Sequence, residues 1–133
     1  MRYLLDTDIC IFIARRKPAH VIDRFDKVPP GDVGISVISY GELRFGAEKS
    51  NQPKDAFVVL SELLEGVRVI PLEEQVSEIY GRLRLYLERM GQQIGNNDLW
   101  IASHCLQLGL TLVTNNEREF SRIPNLAIEN WTH

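Results

Sequence analysis

A chain of 133 residues suits one domain and leaves no room for two good cores. Its 44% hydrophobic and 25% charged residues are the balance of a folded globular protein, not of a disordered one. Fifteen basic against eighteen acidic side chains give a net charge of −3, which excludes bulk-charge coating of nucleic acid and leaves open a local basic patch. The opening MRYLLDTD lacks the apolar run of a signal peptide. The longest uncharged stretch, Leu99–Asn116, is too polar for a membrane span. A cytoplasmic protein with no membrane association is expected. Cys10 and Cys105 both lie in apolar segments and read as small buried hydrophobes in a reducing compartment.

In chain order, Arg2–Leu5 reads as a short strand running into Asp6. Ile9, Ile11, Phe12 and Ile13 continue as a helix that Arg15, Arg16 and Lys17 close, since cations are favoured at a helix C-terminus. Pro18 opens a second helix ending near Lys27, and Pro29–Asp32 is a turn. Val33–Ser36 is a buried strand, after which Ser39 can cap a helix from Tyr40 to Lys49. Pro53 opens the next helix, with Gly66 as its C′ glycine. Val67–Ile70 is a third strand. Glu73–Met90 is the longest helix, with Val76, Ile79, Tyr80, Leu83, Tyr86 and Leu87 at helical spacing. Asn96 or Asn97 caps a helix from Asp98 to Leu108, and Leu110–Thr114 is a fourth strand. A short helical turn at Glu117–Phe120 leads to a last strand, Ala127–Glu129. Strands alternating with helices predict an α/β fold: a short parallel sheet of about five strands, covered by helices on both faces, in one domain over residues 1–133. In such sheets ligands sit beyond the carboxyl ends of the strands.

Three acids map to that edge. Asp6 directly follows the first strand, where an Asp serves strand stability poorly and a site well. Its other use is an N-cap, a task for which Asp8 is better placed. Glu42 stands early in a largely apolar helix, where a carboxylate is costly unless paired or metal-bound. Asp98 opens an almost wholly apolar helix behind the polar run Gly95-Asn96-Asn97. Asn116 follows the fourth strand and lies on the same edge. Two carboxylates about 4 Å apart repel by roughly 4 kcal/mol at an effective dielectric near 20, so such a cluster calls for a counterion or a proton. No CxxC or HExxH occurs, and His20, His104 and His133 do not group. All-oxygen donors favour Mg²⁺ or Mn²⁺ over Zn²⁺.

The segments LLDTDICIF (Leu4–Phe12), SYGELRFGAEKS (Ser39–Ser50), IGNNDLWIASH (Ile94–His104) and LVTNNEREF (Leu112–Phe120) resemble, in the same order, those of PIN-domain proteins of the VapC toxin type. The closing Ile128–Trp131 is similar too. The resemblance implies a PIN-like three-layer fold and magnesium-dependent cleavage of RNA phosphodiesters. It also implies homodimers, a VapB-type antitoxin and contact with operator DNA only through that antitoxin. Some members cut initiator tRNA, which makes tRNA the first candidate substrate. The family's three acids fall on Asp6, Glu42 and Asp98, the expected metal ligands. Its fourth acidic position falls on Asn116, which carries no charge. Arg15, Arg16, Lys17, Lys49, Arg82, Arg84 and Arg89 are candidates for drawing in RNA. Two alternatives remain: a haloacid-dehalogenase-like phosphohydrolase with Asp6 and Asp8 in DxD spacing, and a catalytically degenerate module that binds RNA or a partner.

Overall fold

The computed structural model describes residues 1–133. Five strands, β1 (Tyr3–Leu5), β2 (Val33–Ser36), β3 (Arg68–Ile70), β4 (Thr111–Val113) and β5 (Ile128–Glu129), form one sheet in the order β3-β2-β1-β4-β5. Every pairing is parallel. Tyr3 pairs with Val33 on one side and Thr111 on the other. The chain therefore builds outward from β1 to β3, then crosses back to lay β4 on the other flank. That reversal opens a crevice at the carboxyl ends of β1 and β4.

Seven helices cover the sheet: α1 (Thr7–Arg15), α2 (Ala19–Lys27), α3 (Val37–Glu48), α4 (Pro53–Gly66), α5 (Gln75–Arg89), α6 (Asn96–Leu108) and α7 (Glu117–Phe120). Alternate residues of a strand face opposite sides, and the two cores divide accordingly. Tyr3, Leu5, Val33, Ile35 and Val113 face Ile9, Ile13, Val21, Leu60 and Trp131. Leu4 and Leu112 face Leu83, Leu87, Ile101, Cys105 and Phe120. Both cysteines are buried and free. No helix is long and apolar enough to cross a membrane.

One polar tie crosses the second layer. His104 Nδ1 lies 2.8 Å from Ser36 Oγ, with both residues fully buried. Ser36 Oγ also accepts from the Ile38 N–H, 3.1 Å away, and so caps α3. Burial lowers the His104 pKa and keeps the ring neutral. The helix that carries Asp98 is thereby joined to the start of the one that carries Glu42.

Several boundaries differ from the sequence expectations. Helix α3 starts three residues earlier than expected, with Ser36 as the cap, because β2 ends there in register with Ile70. Ser39 is instead a buried residue inside the helix, its hydroxyl without a partner. Gly66 stays within α4, and the chain leaves the helix in extended form at Val67, so no left-handed glycine is used. Helix α6 starts at Asn96 with Gly95 at its cap, which places Asp98 inside the first turn. Asp6, not Asp8, caps α1.

Gly34 sits where two strands and the N-terminus converge. A Cβ there would lie 2.8 Å from Ile70 Cδ1, 2.9 Å from Met1 Sδ and 3.1 Å from the Arg68 carbonyl. The side-chain ends can swing away, but the paired β3 backbone cannot. Gly34→Ala is expected to destabilise the fold by about 1–3 kcal/mol in urea unfolding.

Candidate active site

The site is built from the residues that follow β1 and β4. Asp6 is only 5% exposed. Its Oδ1 accepts from the Thr7 N–H at 2.8 Å, and its Oδ2 accepts from the Thr114 hydroxyl at 2.7 Å. Thr114 is oriented in turn, since its Oγ1 accepts the Asn116 N–H at 2.9 Å. The Thr7 hydroxyl donates to Glu42 Oε1 at 2.6 Å, which links α3 to the cap of α1. Asp8 bridges the two loops, accepting from the N–H groups of Ile9 at 2.7 Å and Asn115 at 3.1 Å.

Asp98 stands in the first turn of α6, near enough to the others for the charges of Glu119, Glu42 and Asp8 to act on it. Glu119 in α7 is the acid that sequence reasoning missed. Its Oε1 accepts from the Gly95 N–H at 3.2 Å and its Oε2 from the Asn116 side-chain amide. Asn116 thus holds a carboxylate in place at the position where it does not supply one. The signal was present: Glu119 lies three residues beyond Asn116, on the first helical turn after β4, and the rule that reactive groups follow strand ends reaches that far.

Crowded, half-dry acids resist ionisation. Burial pushes the Asp6 pKa up to about 7, and the charge of Asp8 adds to the rise, against the lowering hydrogen bonds from Thr114 and Thr7. Burial also raises Asp8. Asp98 is pushed up to about 6, first by burial and then by the negative charge of Glu119. Glu119 moves the other way, held below its ordinary value chiefly by the Asn116 amide. Of the basic candidates, Arg15 and Lys49 line a cavity together with Glu42. Arg84 is engaged locally, with Tyr80 Oη and Glu88.

The donors fit a hard cation. They are all oxygens and short of neutralising charge, and the nearest thiol, Cys10, is packed in the core. No three of the acids close around a point as a finished cage. That suits Mg²⁺, which binds through one or two carboxylates and keeps several waters.

A parallel sheet with carboxylates gathered at its reversal point defines a class of α/β protein whose chemistry is carried by acids. The family model described as PIN domain matches residues 3–126. A tRNA(fMet)-specific endonuclease VapC of Shigella flexneri is 37% identical over 132 residues, covering 99% of both chains. Ribonuclease VapC2 of Rickettsia felis is 39% identical over 98% of both chains. Among solved structures, VapBC2 of Rickettsia felis bound to a promoter DNA fragment superposes with a TM-score of 0.92 at 39% identity, covering 98% of this chain and 99% of that one. FitAcB of Neisseria gonorrhoeae superposes at 0.87 with 29% identity, covering 98% and 99%. The chain belongs to the PIN-domain family and stands among its VapC ribonucleases.

The raised acids bear on stability. Between pH 4 and pH 7 the folded chain keeps a proton on Asp6 that the unfolded chain has lost. Metal-free protein should therefore lose stability as pH rises through that window. At pH 7.5, Asp6→Asn should raise the metal-free melting temperature by a few degrees, and magnesium should raise that of the wild type more than that of the variant. Thermal denaturation monitored by circular dichroism reads both effects.

Proposed function

We propose that this chain is a magnesium-dependent endoribonuclease toxin, with Mn²⁺ able to substitute, that hydrolyses an RNA phosphodiester bond and is held in check by a VapB-type antitoxin. What supports this is the proximity of Asp6, Glu42 and Asp98, each delivered by a different element: Thr7, next to Asp6, donates to Glu42, and the charge of Asp98 acts on Asp6 and that of Glu42 on Asp98. The full-length similarity to named ribonucleases favours it over an aspartyl-phosphate hydrolase. The relatives named as tRNA(fMet)-specific make initiator tRNA the first substrate to try. The VapBC complexes on promoter DNA support an antitoxin partner through which operator DNA is met, and two toxin copies are expected to pair.

Asp6, Glu42 and Asp98 would hold the cation, directly or through water. Bound there, it would polarise a phosphate oxygen and lower the pKa of water. The rest falls to the chain. Thr114 and the Thr7 N–H hold the Asp6 carboxylate in one orientation. The Thr7 hydroxyl aims Glu42. Glu119, kept ionised by Asn116, stands beside Asp98 and can accept a hydrogen bond from, and so orient, an attacking water. The charge that Asn116 lacks is thus present one helical turn further on, which favours a working site over a degenerate one.

Asp6→Asn and Asp98→Asn are expected to lower cleavage of purified tRNA at least about 100-fold with the circular dichroism spectrum unchanged, and Glu119→Gln about 10–100-fold. Chelation should abolish cleavage and added magnesium restore it. A folded Asp6→Asn protein with full activity would overturn the mechanism.

A further inference from the structure

Phe45 is 64% exposed, although burying such a ring is worth about 1.5–3 kcal/mol. It stands three residues beyond Glu42 on α3, and Lys49, the C-cap residue of that helix, follows four residues later, so all three share one stripe. The Lys49 ammonium lies 5.1 Å from the centroid of the Phe45 ring. Glu42, Phe45 and Lys49 line one open cavity of about 690 Å³, with Asn97 from the α6 start on its wall. Gly41 and Gly46 also line it and add no side chain beside the ring. A second cavity of about 670 Å³ continues past Glu42 and brings in Arg15. The surface leading out of the acid pocket therefore offers an aromatic face and then cations, within a rise of about 10 Å along the helix.

That order matches an unpaired nucleotide, which presents a flat apolar base and an anionic backbone. An acidic or purely apolar protein segment would match only half of it. We propose that Phe45 stacks a nucleobase adjoining the phosphate handled by Asp6, Glu42 and Asp98, while Lys49 meets the next phosphate outward. This rests on the ribonuclease reading and deepens it: an unpaired base at the cut is favoured, because a paired one would first have to be unpaired and unstacked to reach the ring. Lys49 then serves as a phosphate contact and Phe45 as a specificity residue of the open strand.

Steady-state cleavage of a loop-containing RNA, with the same sequence as a duplex for comparison, reads the subsite. Phe45→Leu keeps apolar bulk and removes the π face. It should raise KM for the loop about tenfold with kcat within twofold, and narrow the preference for loop over duplex. Phe45→Trp should restore both. Lys49→Gln should weaken binding and reduce the salt slope by about one. With calcium in place of magnesium, 2-aminopurine in the loop should be quenched by wild type and by Phe45→Trp, and not by Phe45→Leu. An unchanged KM in Phe45→Leu overturns the subsite, as does a defect confined to antitoxin affinity or to self-association. Absence of metal-dependent cleavage by the wild type on any RNA overturns instead the ribonuclease reading beneath it.

Discussion

Like charges held close together in a half-dry crevice are the constraint around which this protein is arranged. Asp6 is almost fully enclosed, and Asp8, Glu42, Asp98 and Glu119 stand near enough for the pKa of Asp6 or of Asp98 to register their charge. Left alone, such a group would spread apart or take up protons. Three of them cannot spread, because they are tied to the backbone and to fixed neighbours: Asp6 to Thr7 and Thr114, Asp8 to Ile9 and Asn115, Glu119 to Gly95. The crowding shows instead as raised proton affinity at Asp6, Asp8 and Asp98.

The sheet makes this possible through its order. With β1 in the middle, the residues after β1 and β4 are neighbours in space and more than a hundred residues apart in the chain. Two separate cores clamp β1 from above and below, which lets an energetically poor residue sit at its end. The buried pair His104 and Ser36 couples α6 to α3, so the spacing between Asp98 and Glu42 depends on a neutral contact remote from solvent.

Most of this architecture was legible in the residues. Continuous apolar runs such as Tyr3–Leu5 and Leu112–Val113 marked the buried strands, and Asp6, Glu42 and Asp98 stood out because acids are expensive in such company. Helix starts were harder. Ser36 and Ser39 are chemically equivalent caps, and only the register of β2 against β3 selects the first. Gly66 carried the signature of a helix stop, yet the chain enters β3 through an extended Val67. Glu119 was easy to pass over for another reason. In a short polar turn an acid looks like any solvated residue, and its role arises from Gly95 and Asn116, one of them 24 residues away.

The placement of β4 against β1 also says when the reactive pocket comes into being. Asp6 is made first but lacks its Thr114 partner until 108 more residues have been joined. Thr114 in turn leans on the Glu129 carbonyl at 3.0 Å, and Trp131 fills the core beneath Tyr3. The pocket around Asp6 is therefore completed only by the last strands of the sheet to be made, and a chain that stops short of β4 lacks the hydroxyl that orients its buried carboxylate.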